Sequence, residues 1–140
     1  MNTNKSSLQD IKVNLKLKLA ILWTSLMFLI IYLDYFHLYM PSKMLEIQTG
    51  RVFIFDITPG FLLAGMISVS IPALMIFLSG ALPAKINKWT NIIIASIYIP
   101  FILFNLAGEV WVHMVYGAVV EVILLSLIIF YSLKWPRLFR

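Results

Sequence analysis

The chain has 140 residues, of which 61% are hydrophobic and 12% charged, and its mean hydropathy is +0.94. A soluble domain needs about 25% charged residues to keep its surface in water, so the composition excludes that class and predicts an integral membrane protein, with room for four spans at roughly 20 residues each and none for a separate soluble domain. The absence of cysteine excludes thiol redox chemistry and thiolate metal sites, and the net charge of +5 sits at the ends of apolar runs, where anionic lipids rather than nucleic acid are the expected partners.

Residues 1–18 form a basic segment carrying Lys5, Lys12, Lys16 and Lys18. Within it Leu8, Ile11, Leu15 and Leu19 recur at helical spacing, which favours a helix lying on the cytoplasmic surface with its lysines snorkelling; a disordered basic arm is the alternative. The first span is predicted over 19–40, and Pro41 ends it. It is too long for a signal-peptide core and lacks a small-x-small site after it, so it reads as a retained span.

The connection 41–58 divides in two. Met44, Leu45 and Ile47 suit a short surface helix ending at Thr49-Gly50, whereas Val52 to Phe55 is too apolar for an open loop and is expected to cover the outer mouth of the bundle or dip into headgroups. A strand there would need a partner that the sequence does not reveal. The second span, 59–82, opens with Thr58 as cap and Pro59 in the first turn, and contains Pro72. The third, 89–107, contains Pro100 and stops at Gly108; the fourth, 111–133, leads into a basic tail, 134–140. Pro72 and Pro100 suit either a transport hinge or a static kink.

Nine of the 11 basic residues fall in the two terminal segments and the loop between the second and third spans, leaving Lys43 and Arg51 on the other side. For a bacterial inner membrane or its equivalent, this asymmetry predicts an antiparallel all-α bundle of four transmembrane helices, multi-pass, with both termini cytoplasmic. Trp23, Trp89, Trp111 and Trp135 are expected at the membrane interfaces.

Two carboxylates, Asp34 and Glu121, fall inside the spans, where an anion must be paired, protonated or bathed in water. By helical rise Asp34 lies roughly 10 Å and Glu121 roughly 15 Å below the outer surface. Helical spacing puts Trp23, Met27, Ile30, Asp34 and His37 on one face of the first span, and His113, Gly117 and Glu121 on one face of the fourth. The third span aligns Asn91, Ala95, Tyr98, Ile102 and Asn105, and the second Gly65, Ser68, Pro72, Met75 and Ser79. These groups either bond the helices together or form an outward-opening pocket lined by Asp34, His37, Tyr98, Asn105, His113 and Glu121. A metal site at His37, His113 and Asp34 has no diagnostic spacing, and no nucleophile, phosphate loop or cofactor motif appears, so neither a metal, a cofactor nor catalytic residues are expected.

The runs Leu19-Ala20-Ile21-Leu22-Trp23, Tyr32-Leu33-Asp34-Tyr35, Pro72-Ala73-Leu74-Met75-Ile76-Phe77-Leu78-Ser79, Lys85-Ile86-Asn87-Lys88, Val120-Glu121 and Lys134-Trp135-Pro136 together resemble a family of uncharacterised bacterial four-helix membrane proteins, itself loosely similar to DoxX-like proteins. The resemblance covers about Lys12 to Pro136 and implies an inner-membrane bundle. The DoxX-like similarity implies association with oxidoreductase systems, in which a chain without cysteine performs no thiol chemistry. Two functions are expected from these readings: binding of a small molecule or ion at Asp34 and Glu121, extending to proton-linked transport by a homo-oligomer, or an accessory role beside a partner in a larger membrane or redox complex. An enzyme acting on lipid or quinone is less favoured, since no residue specifies a reaction.

Overall fold

Asn14 starts the first long helix. Its side chain accepts the Lys16 amide at 2.9 Å, and α1 then runs Leu15–His37. The computed structural model describes residues 8, 10–108 and 110–136, so Lys5, Glu109, Arg137 and Arg140 of the charge pattern lie outside it. After α1 come a short helix α2 (Lys43–Gln48), the strands β1 (Arg51–Val52) and β2 (Phe55–Asp56), and the helices α3 (Pro59–Ala81), α4 (Ala84–Phe104) and α5 (Val112–Leu133). The four long helices are long and apolar enough to cross a membrane.

Several boundaries differ from the sequence reading for local reasons. The Leu8-to-Leu19 repeat does not form one helix: Leu8 and Asp10 to Asn14 are non-helical, and Leu15 to Lys18 extend α1, because Asn14 supplies the cap. The α4 helix starts five residues ahead of Trp89, since after Pro83 nothing stops a helix from taking in Lys85 and Lys88. The α3 start matches its signature, with Thr58 Oγ1 accepting the Phe61 amide at 3.1 Å and Pro59 in the first turn.

The connection between α1 and α3 contains the strand partner that hydropathy did not show. The two strands pair antiparallel with each other, Arg51 opposite Asp56 and Val52 opposite Phe55, so Phe53-Ile54 is a two-residue turn. Phe53 has φ 56°, where glycine is the usual occupant. Its ring lies against Gly108, where a side chain's Cβ would come within 2.6 Å of it, so the hairpin tip rests on the α4–α5 connection.

Side-chain contacts fix the direction of the helices. Lys16 Nζ at the start of α1 donates to the Gly80 carbonyl at the end of α3 (3.4 Å), and Lys88 Nζ at the start of α4 donates to the Leu133 carbonyl at the end of α5 (3.4 Å). One end of the bundle therefore holds the start of α1, the end of α5 and the Leu82-Pro83 turn; we call it the terminal end, and the opposite one the loop end. Around the bundle α1 packs between α3 and α5, α5 packs on α4, and α3 and α4 meet more sparingly.

The core is weighted toward the terminal end and reaches the loop end through Tyr98 and Ile102 of α4 and Ala118 of α5. Leu19, Trp23 and Leu26 of α1 meet Met75 of α3, Ala95 of α4 and Leu125 and Ile128 of α5 in one cluster. Trp23, expected at an interface, is 0% exposed, because the early start of α1 places it two turns inside the helix. Its Nε1 donates to Asn91 Oδ1 at 2.7 Å, and Ser79 Oγ donates to the same oxygen at 3.2 Å. Asn91 Nδ2 in turn donates to Asn87 Oδ1 at 2.6 Å, and Asn87 Nδ2 to the Ser79 carbonyl at 2.6 Å. This buried network ties α1, α3 and α4 across the bundle axis, and each of its side-chain amides is satisfied, as burial requires.

Candidate ligand-binding site

Burial changes along the length of the bundle. On α1 the last buried residue is Leu26, and on α3 the first is Pro72; from Thr58 to Ile67 all but the half-buried Phe61 are exposed. The α4 and α5 helices keep buried residues further toward the loop end, at Ile102 and Gly117. The bundle is thus tightly packed at its terminal end and loose at its loop end, where α1 and α3 present no buried side chain.

The boundary between these halves holds the two carboxylates of the long helices, Asp34 and Glu121. Gly117 of α5 allows Leu33 of α1 to pack directly on its backbone, so closely that a Cβ at position 117 would overlap the Leu33 side chain. That contact draws Asp34 and Glu121 into electrostatic range of each other. Glu121 is 6% exposed, on the buried face of α5 that continues through Leu125 and Ile128. Asp34 is exposed, in the loose part of α1, with His37 acting on it from one turn further along. Among the described residues no salt bridge reaches either carboxylate.

The remaining expected site residues are placed less uniformly. Tyr98 is buried, and its hydroxyl donates to the Ser68 carbonyl of α3 while its ring meets Trp23 edge-on at 6.5 Å. Ser68 stands four residues before Pro72, whose missing N–H leaves that carbonyl outside the helical ladder. The Tyr98 hydroxyl is therefore engaged in repairing the proline gap. Asn105 caps the end of α4 and is exposed. His113 is half-buried with its ring 6.2 Å from that of Trp111; its Nε2 is buried and has no hydrogen-bond partner. The fold thus puts Asp34 in electrostatic range of both His37 and Glu121, turns Tyr98 toward α3, and leaves Asn105 at the surface. No group of three His, Cys, Asp or Glu able to hold a metal exists among the described residues.

An apolar groove of about 270 Å³ opens beside this region between Tyr35, Leu38, Tyr39 and Met44. The Tyr35 and Tyr39 hydroxyls are 2.5 Å apart, and their bond holds the Tyr39 phenol above its ordinary pKa. Two polar features escaped the sequence reading. Asn87 shares the helical stripe of Asn91 and Ala95, but lay in a segment assigned to a loop. Lys43 is buried beside Glu46, 3.1 Å from it, within a connection judged by its apolar residues.

The chain matches the family of unknown function DUF6326 over residues 8–138 and belongs to that family. The match agrees with the resemblance to an uncharacterised family and lends nothing to the DoxX-like similarity. No curated protein and no solved structure matches the chain.

Proposed function

We propose that the protein is a multi-pass bundle of the bacterial inner membrane that binds a cation or a protonated small molecule at Asp34 and Glu121, reached from the loop end. The supporting observation is the pairing of a buried carboxyl, Glu121, with a second carboxyl, Asp34, in the loose half of the bundle, with no salt bridge to either among the described residues. Two acids placed together away from bulk water attract a positive ligand or share a proton, and either event changes the charge of the site. His37 and the unpartnered His113 Nε2 stand toward the loop end of the same helices and would meet the ligand first. Proton-linked transport is the extension of this reading; four helices enclose little, so transport would require a homo-oligomer. The gathering of Lys16, Lys18, Lys88 and Lys134 at the terminal end supports cytoplasmic termini.

The test is thermal unfolding of the purified chain in detergent, titrated with sodium, potassium and a lipophilic tertiary amine. At least one of these cations raises the Tm of the wild type, and Asp34→Asn and Glu121→Gln each remove that rise while still inserting. No rise in the wild type, or a full rise in both variants, rejects the site.

A second reading, an accessory subunit of a larger membrane or redox complex, is favoured by one feature. The loop-end cap exposes Leu45 and Ile54 at 63% and 67%, beyond the helices that would span the bilayer. Stoichiometric co-purification of a protein partner that is lost in Ile54→Asp would favour it over the first.

A further inference from the structure

A second groove, of about 410 Å³, runs along the outside of the α1–α5 seam and is lined by Ser25, Phe28, Leu29, Tyr32, Val120 and Leu124. Neither Asp34 nor Glu121 lines it. Its only hydroxyl toward the terminal end, Ser25 Oγ, already donates to the Ile21 carbonyl of its own helix at 3.0 Å, so the groove offers a hydrocarbon surface. On α1 the positions 18, 25, 29 and 32 fall on one stripe at helical spacing, and on α5 the positions 120, 124, 127 and 131 do the same. The two stripes meet again at the terminal end, where Lys18 Nζ sits 4.6 Å from the centre of the Tyr131 ring. One turn beyond, Lys134 Nζ lies 4.2 Å from the Phe130 ring. The groove therefore has a cationic head and an apolar body on one continuous seam.

The spacing along that seam fits one class of ligand. Ser25 and Leu124 each lie seven residues from Lys18 and Tyr131, roughly 10 Å along the axis, and Leu29 and Val120 roughly 16 Å. A single leaflet of a bilayer is about 15 Å deep in hydrocarbon, half of a 30 Å core. We infer that the α1–α5 seam is a binding site for an anionic phospholipid, with the headgroup phosphate at Lys18 and Lys134 and an acyl chain in the groove between Leu29 and Leu124. The ammonium groups supply the preference for negative headgroups, and the groove supplies residence by shielding the chain from neighbouring lipids. This proposal uses none of the residues of the carboxylate site and survives if that site binds nothing.

The test is native mass spectrometry of the full chain released from nanodiscs of phosphatidylglycerol and phosphatidylcholine with matched acyl chains. Wild type retains one phosphatidylglycerol per chain in preference to phosphatidylcholine. Lys18→Gln lowers that preference about fivefold and leaves phosphatidylcholine retention unchanged, as the loss of one lysine near the surface requires, whereas Lys18→Arg keeps it. Leu124→Trp, or Leu29→Phe from the other wall should the first variant not fold, lowers retention of both lipids. Equal retention of the two headgroups by wild type, or unchanged lipid retention on filling the groove, overturns the proposal. So does a wild-type oligomer that Leu124→Trp dissociates, which would make a second copy of the chain the occupant.

Discussion

The Tyr98 hydroxyl of α4 donates to the carbonyl of Ser68 on α3, the one group in that turn that Pro72 cannot serve. Two helices that otherwise meet sparingly are thereby joined where the hydrogen-bond ladder of one of them lacks a donor. Tyr98→Phe is expected to lower stability by about 1 kcal/mol, the worth of an interhelical hydrogen bond in a membrane bundle. In a Pro72→Ala background, where residue 72 again carries an N–H for Ser68, the same change should lose most of its effect. A double-mutant cycle from unfolding in mixed micelles reads the coupling; an identical loss in both backgrounds would refute the link.

The Leu33–Gly117 contact sets the distance between α1 and α5. Gly117→Ala forces a methyl into Leu33 and is expected to destabilise by about 1–3 kcal/mol, as overpacking does. Leu33→Ala added to it should recover part of that loss, because the clash is with a side chain and not with backbone. Tm values of the single and double variants check this, and a double variant no better than Gly117→Ala would count against the packing argument.

Asn91 accepts from both Trp23 and Ser79 and donates to Asn87. Asn91→Leu keeps the size but strands those partners, with an expected loss of about 1–3 kcal/mol. Ser126→Ala serves as comparison: Ser126 Oγ is exposed and bonds only the Val122 carbonyl of its own helix, so stability should be nearly unchanged. Equal Tm values for the two variants would show that the network contributes nothing net.

Glu121 separates a binding site from structural glue. If the buried carboxyl serves a ligand, Glu121→Leu removes a poorly solvated polar group and raises or maintains the Tm in the absence of ligand, while cation-dependent stabilisation disappears. A fall of several degrees in the unliganded protein would instead mark Glu121 as part of the packing.

The stripes that ended in the core were legible because helical spacing and hydropathy agree there. Asn91, Ala95, Tyr98 and Ile102 are all buried, as are Pro72, Met75 and Ser79. The same rule failed toward the loop end, where Asn105 and Asp34 lie on the expected faces and are nevertheless exposed, since a helical face is covered only as far as a neighbouring helix follows it. The hairpin was hidden because its strands are too short for a periodic signal and its turn uses Phe53 at positive φ in place of Gly or Asn. Asn87 was hidden by Lys85 and Lys88, whose charge suggested a loop although both sit in the opening turns of α4.

The link between α3 and α4 is only Leu82 and Pro83. Such a tether keeps the end of α3 and the start of α4 together whatever the rest of the bundle does. The bond from the Asn87 amide to the Ser79 carbonyl is therefore local to this turn and needs no other helix in place, which leaves α4 without an unpaired amide there. Lengthening this tether with a flexible insert would uncouple the two helices, and misassembly would appear at this turn even where the finished molecule tolerates the extra residues.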